Sequence, residues 1–164
     1  MTARLQILDA RRDQQQIIAN LLQLYLYEFS ADLKTDVGLD GRFAWDGLED
    51  YWSQDGLHPL LLMVDDKLAG FALVQRIPAA DGTLVWDFED FFVMARYRRR
   101  GLGSDAACQL FDRFRGAWQI RVLASNDRGL AFWRSTLSKH QSALELPAEA
   151  IVDGRVCQVF RLRS

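Results

Sequence analysis

Apolar positions recur every three to four residues from Ile18 through Leu21, Leu22 and Tyr25 to Phe29, which predicts a first amphipathic helix ending near Ser30. Asp13, with Gln16 three residues later, has the spacing of a helix-starting cap, and Arg4 to Leu8 reads as a short opening strand. Residues 31–44 carry Gly38 and Gly41 among scattered charges and show no period, so a loop is expected, followed by a short helix from Asp46 to Tyr51. The pattern then turns extended. Pro59–Val64 and Leu68–Ile77 are apolar runs around the turn Asp65-Asp66-Lys67, and Asp81-Gly82 leads into the aromatic and β-branched run Leu84–Met94. Leu102, Ala106, Ala107, Leu110, Phe111 and Phe114 mark a second buried helical face, stopped by Gly116. Trp118–Ala124 reads as a strand and Asp127 to Leu137 as a helix. Two last strands, Leu144–Val152 and Arg155–Leu162, flank Asp153-Gly154, with Pro147 marking the first of them as an edge. The order β-α-α-β-β-β-α-β-α-β-β predicts a mixed α/β domain whose strand–helix–strand unit at 84–124 is parallel and right-handed.

Composition narrows the classes. A chain of 164 residues, 49% hydrophobic, buries a real core, and one domain over 1–164 is the natural count. A formal net charge of −2 gives no global attraction to nucleic acid or an anionic membrane. Cys108 and Cys157 lie far apart and form no metal-type spacing with His58 or His140, so no metal is expected; each histidine stands alone. A disulfide between the two cysteines stays open. The amino terminus lacks a basic flank followed by an apolar run, and the apolar stretches fall well short of the roughly 20 residues of a membrane span. The expectation is a soluble, cytoplasmic protein.

Chemistry concentrates between Phe88 and Ala107, FEDFFVMARYRRRGLGSDAA. A strand ends near Met94, a basic loop holds two glycines one residue apart, and a helix begins. Gly101 and Gly103 let the backbone approach a ligand closely. The unpaired N–H groups and positive dipole end of the following helix make an anion site, to which Arg98, Arg99 and Arg100 add charge. The same loop read by itself is also a tight strand-to-helix connection with solvated charges. No Gly-Lys-Ser/Thr and no three-glycine dinucleotide fingerprint is present.

The stretch Val93-Met94-Ala95-Arg96-Tyr97-Arg98-Arg99-Arg100-Gly101-Leu102-Gly103 closely resembles the signature of the GNAT superfamily of N-acetyltransferases: Arg or Gln, two residues, Gly, one residue, then Gly or Ala, after a strand ending in valine. The element order resembles that family over essentially the whole chain. The resemblance implies a GNAT-like fold, a twisted, mostly antiparallel mixed sheet of six to seven strands flanked by about four helices. It implies acetyl-CoA as cofactor, with its pyrophosphate wrapped by the backbone of Arg99–Ser104 (including Leu102) and its pantetheine arm paired with Phe92, Val93 and Met94. Asn126 and Phe132-Trp133 match the second family motif, which adds Asn126 and Trp133 to the cofactor-binding candidates. From the residues alone, Asn126 is a helix cap.

Acetyl transfer to an amine through a tetrahedral intermediate needs a base for the amine, a donor for the oxyanion and stabilisation of the departing thiolate. The resemblance implies a carboxylate base at Glu89 or Asp87, in that order. Strand alternation puts both on one face, with Asp90 on the other; as solvated charges or as an electrostatic grip on the ammonium they fit the residues equally well. A backbone N–H near Val93 or Met94 is the oxyanion donor. Many members carry a tyrosine seven residues after the Asn. This chain has Trp133 there, and an indole cannot usefully give up a proton, so either Tyr25, Tyr27 or water takes that place or the thiolate leaves unassisted.

Acceptor recognition falls, by resemblance, to the first helix and the 31–52 segment. These supply Tyr25, Phe29 and Trp52 among interleaved acids, a setting suited to a small-molecule or peptide amine; the same aromatics also read as packing residues. The resemblance also allows a homodimer paired through carboxy-terminal strands or an exposed sheet edge. A non-catalytic acyl-CoA-binding domain is the alternative from another class. A nucleic-acid patch at Arg96–Arg100 conflicts with the acidic balance of the chain.

Overall fold

The helical period from Ile18 is realised in α1 (Gln15–Leu33) of a computed structural model that describes residues 4–140, 143–144 and 147–164. The helix opens differently from the expected Asp13/Gln16 cap. A 3-10 turn at Arg12–Gln14 precedes it, where Gln14 Oε1 accepts the Arg11 backbone N–H at 2.9 Å and the Asp13 carboxylate is taken by the Arg11 guanidinium at 3.0 Å. Past Ser30 no breaker intervenes, and α1 continues until Lys34 turns left-handed (φ 52°) and donates its N–H to Ser30 O. The short helix expected at Asp46–Tyr51 is a 3-10 segment, Leu48–Trp52.

The chain divides into two compact units, neither of them contiguous: residues up to 73 together with 90–96, and residues 74–89 together with 97–164. In the first, β1 (Leu5–Asp9) pairs antiparallel with β2 (Leu57–Val64), from Leu5↔Val64 to Asp9↔Leu60. Asp65 and Asp66, at φ 49° and 60°, then turn the chain into β3 (Lys67–Pro78). Aspartate is one of the few side chains that enters this region readily, which is why Asp65-Asp66 closes the hairpin without glycine. Ile18, Leu21 and Leu22 of α1 bury against Leu61, Phe71, Leu73 and Phe92. Phe92 comes from the end of β4 (Leu84–Val93), which lies beside β3. Gly70 makes that approach possible, since a Cβ there would stand 2.0 Å from Phe92 O.

In the second unit β4 runs parallel to β5 (Ala117–Leu123), with Trp86↔Trp118 and Asp87↔Gln119 paired. This is the parallel step predicted for 84–124, made through α2 (Leu102–Arg113). β5 alternates cleanly, burying Trp118, Ile120 and Val122, and pairs antiparallel with β8 (Arg155–Arg163). α3 (Asp127–Lys139) lies between them in sequence. The strand expected over Leu144–Val152 is two pieces, β6 (Ala143–Leu144) and β7 (Ala148–Val152), both antiparallel to β8. Pro147, which has no N–H to give a ladder, stands between them; residues 145–146 of that expected strand lie outside the described residues. Phe88, Phe111, Trp118 and Trp133 form an aromatic core with ring centroids 4.8–6.5 Å apart.

The fold is the expected mixed, mostly antiparallel α/β sheet. It has eight strands, one only two residues long, and three α-helices among the described residues. The helix count falls one short of the expected four because the 48–52 segment closes as a 3-10 turn. No helix among the described residues is long and apolar enough to cross a membrane.

Candidate active site

The loop before α2 is built as the sequence suggested, with one addition. Gly101 is the N-cap of α2, left-handed at φ 79°, and no side chain caps the helix. The first backbone bond of the turn runs from Asp105 N–H to Gly101 O at 2.9 Å, so the N–H groups of Leu102, Gly103 and Ser104 precede the helical ladder. Arg99 is also left-handed, at φ 61°. Left-handed residues alternating along the chain turn successive N–H groups toward one concavity, an anion nest. Arginine, unlike Asp65 and Asp66, has no special preference for this region, and nothing in the spacing of the arginines foretold it. Arg99 and Arg100 are exposed, and Arg98 is half-buried. Bare amides, a helix dipole and guanidinium groups fit a pyrophosphate.

At the end of β4, Met94 donates its N–H to Ala69 O at 2.8 Å. That corrects one of the two expected oxyanion donors, because the Met94 amide is committed to β3. Phe92 O also faces β3, at Gly70.

The two candidate carboxylates differ sharply. Asp87 is wholly buried and Glu89 is exposed. Arg121 of β5 grips Asp87 with two bonds, Nε to Oδ1 at 3.1 Å and Nη2 to Oδ2 at 2.6 Å, and Gln75 Nε2 donates to Oδ2 at 3.1 Å. Burial pushes the Asp87 carboxyl above the usual carboxylate range, against the pull of Arg121 and Gln75. Burial works against the charge on Arg121 too, but Asp87, Asp153 and Glu89 outweigh it and raise its basicity. Alternation did put Asp87 and Glu89 on one face. Their exposure differs because β4 and β5 pair at Trp86 and Asp87 and no further, leaving Glu89 past the end of the ladder. Asp90 is buried. Sequence reasoning missed Gln75 and Arg121; Arg121 sits at a polar position of the alternating strand Ala117–Leu123 and so gives no signal of its own.

Asn126 serves as the cap that its position suggested, its Oδ1 accepting the Gly129 N–H at 2.9 Å. Trp133, at the usual tyrosine position, is buried and stacks on Phe88 at 5.3 Å. Tyr25 is half-buried against Phe29 (4.8 Å), Phe71 and Phe92. The Trp52 indole donates to Ala10 O at 2.7 Å. The structure shows a different concavity in the 31–52 segment, a cavity of about 500 Å³ lined by Asp36, Asp40, Phe43, Trp45 and Asp46 together with Arg42. Gln23 holds its rim, bonding both the N–H (2.8 Å) and the C=O (3.0 Å) of Phe43. Cys108 and Cys157 are free thiols, each raised in pKa by burial. His140 packs on Phe111 at 5.1 Å, and no group of three metal-binding side chains occurs among the described residues.

The sequence model described as the acetyltransferase (GNAT) family matches residues 18–137. No curated protein matches the chain. Similar solved structures include a ribosomal-protein-alanine N-acetyltransferase from Brucella melitensis, with a TM-score of 0.66 at 16% identity over 97% of this chain and 99% of that one. Another is Arabidopsis thaliana Naa50 in complex with the bisubstrate analogue CoA-Ac-MVNAL, at 0.61 and 14% over 96% and 97%. A third is an acetyltransferase of the GNAT family from Streptococcus pneumoniae, at 0.56 and 21% over 98% and 100%. At these identities the likeness is one of fold.

Proposed function

Because the chain belongs to the acetyltransferase (GNAT) family, which uses acetyl-CoA, we propose that it is an N-acetyltransferase, acting over 1–164 as one domain, that moves an acetyl group directly to a primary amine. The observation that carries this reading is the nest before α2, in which left-handed Arg99 and Gly101 turn the amides of Leu102, Gly103 and Ser104 toward a diphosphate. Arg98, Arg99 and Arg100 add charge, and the backbone of Phe92–Met94 follows the family pattern for the pantetheine arm. Acetyl-CoA supplies the acetyl group as a thioester; the C–N bond to the amine forms, the C–S bond breaks, and the electron pair leaves on sulfur.

Glu89, exposed where Asp87 is wholly buried, takes the proton of the amine. A backbone N–H at the end of β4 is the oxyanion donor, and it is not that of Met94, which Ala69 O holds. Trp133, buried against Phe88, gives no proton to the departing sulfur, and water serves that step. Two of the structural neighbours carry peptide or protein amines in their names, and an acceptor of that kind suits the acidic, aromatic segment at 36–46. The buried Trp133 is also what favours the second reading, a domain that binds acyl-CoA without turnover.

Replacing Gly101 by Val puts a β-branched side chain at φ 79°. Calorimetry is expected to show coenzyme A affinity falling about 30-fold or more, with the fold retained. Coenzyme A binding that survives Gly101→Val unchanged overturns the assignment of the loop. For turnover, thiol release from acetyl-CoA over a panel of primary amines is the direct assay. Glu89→Gln should lower kcat about 100-fold or more while leaving coenzyme A binding intact. Binding with no thiol release from any amine favours the non-catalytic domain.

A further inference from the structure

We propose that Gln23 of α1 is a positioning residue for the acceptor amine, its side-chain amide hanging the 38–45 loop on the helix so that the cavity between them keeps its shape. The proposal rests on the acetyltransferase reading above, with the acceptor in the 36–46 segment. Residues 38–42 close on themselves. Gly41 N–H bonds Gly38 O and Gly38 N–H bonds Arg42 O, each at 2.9 Å, and Asp40 Oδ1 accepts the Arg42 N–H at 3.1 Å. Further on, Trp45 packs against the core cluster of Ile18, Leu21 and Leu22. Phe43 stands between the closed turn and that anchor, and both its backbone groups go to Gln23. Its N–H donates to Oε1 at 2.8 Å, and its C=O accepts from Nε2 at 3.0 Å. Among the described residues, these two are the hydrogen bonds by which 38–45 reaches beyond itself.

The chemistry of the side chain explains why glutamine suits this place. A primary amide offers an acceptor oxygen and donor hydrogens in one plane, so it serves the N–H and C=O of one residue as a neighbouring strand residue would. Glutamate lacks the donor and lysine the acceptor. Two bonds to one residue fix the Phe43 backbone in direction as well as in position. The cavity of about 500 Å³ depends on that direction. Ala19 and Leu22 of α1 line one side of it, and Phe43 and Trp45 line the other. Asp36, Asp40 and Asp46 outnumber Arg42 in the same lining, which sets the two rings among carboxylates and suits a cationic amine. A loop released from Gln23 would move Phe43 and blur the wall the acceptor rests on.

The test pairs acceptor kinetics with amide exchange on Gln23→Met, a side chain of similar length and helix propensity that makes neither bond. Thiol release from acetyl-CoA is measured with spermidine, lysine, glucosamine and a pentapeptide with a free amino terminus. KM is then followed for whichever of these the parent uses best. It should rise about tenfold, with kcat and coenzyme A affinity unchanged, the sign of binding lost equally from ground and transition states. The Phe43 amide should exchange with solvent about tenfold faster or more. Gln16→Met is the control on the same helix: the Gln16 amide bonds the Asn20 side chain at 2.9 Å, and its loss should move neither readout. A faster Phe43 amide with an unchanged KM, or an unchanged Phe43 amide, overturns the proposal alone. So does a kcat that falls together with coenzyme A affinity, which is what a merely structural loss would give. Where Gln23→Met does not fold, Gln23→Glu, which keeps the bond from Phe43 N–H and loses the other, carries the test, and an unchanged KM in it is the overturning result. A parent that binds coenzyme A but releases no thiol with any of the four amines overturns the acetyltransferase reading and this proposal with it.

Discussion

Gly70→Ala is expected to destabilise the protein by about 3 kcal/mol or more, lowering the melting temperature by roughly 10 °C. The added Cβ would meet Phe92 O at 2.0 Å, Phe92 C at 3.0 Å and Val93 Cα at 3.1 Å. All three are backbone atoms, so no rotamer change relieves the contact. Only separation of β3 from β4 would, and that stretches the Met94 N–H bond to Ala69 O. Gly70 is not among the residues of positive φ, so the loss comes from contact and not from conformational strain. Gly82→Ala is the control. Nothing stands within 4 Å of its Cβ, but its φ is 81°, and a smaller loss of about 1 kcal/mol is expected there. Thermal melts of the two variants side by side check the ranking, and a Gly70→Ala protein as stable as the parent would refute the close approach.

Arg121→Met carries the second large effect on stability. It leaves Asp87, wholly buried, with only the Gln75 amide, and losing one partner of such a pair costs about 3–5 kcal/mol. The sign of its pH dependence follows from the burial that already raises the Asp87 carboxyl in the parent. A carboxyl whose folded pKa lies above its unfolded value of about 3.9 favours the folded state most at pH below that value. That contribution is lost as pH rises through the folded pKa. The deficit of Arg121→Met relative to the parent should therefore be largest at neutral pH and shrink on acidification. Asp87→Asn/Arg121→Met should recover most of it at neutral pH. Urea unfolding at pH 7 and pH 5 measures both, and a deficit that grows toward acid would contradict the buried-charge account.

The sequence made legible whatever depends on neighbours in the chain. The stripe Ile18–Leu21–Leu22, the alternation of Trp118, Ile120 and Val122, and the Gly101 turn into α2 all follow from local period or backbone freedom, and the structure has them. The Asn126 cap is local too. What escaped the sequence depends on register between strands distant in the chain. Asp87 and Glu89 look alike as two acids on one strand face, and only the end of the β4–β5 ladder after Asp87↔Gln119 distinguishes them. Gln75 and Arg121 meet Asp87 across 12 and 34 residues of chain. The commitment of Met94 N–H to Ala69 is likewise a cross-strand fact. In the sequence Arg99 reads as charge alone, and its left-handed backbone is invisible there because arginine has no preference for that region.

The first unit reaches back for residues 90–96, and this bears on how the protein is made. A chain growing from its amino terminus has α1, β1 and β2 in hand well before Phe92 exists to fill its place beside Phe71. Until residue 96 has been synthesised, that core lacks an aromatic ring and the outer edge of β3 offers unpaired backbone to any passing strand. Ribosome-bound chains halted shortly before Asp90 should accordingly be digested by protease, and chains halted once residue 96 is clear of the exit tunnel should resist.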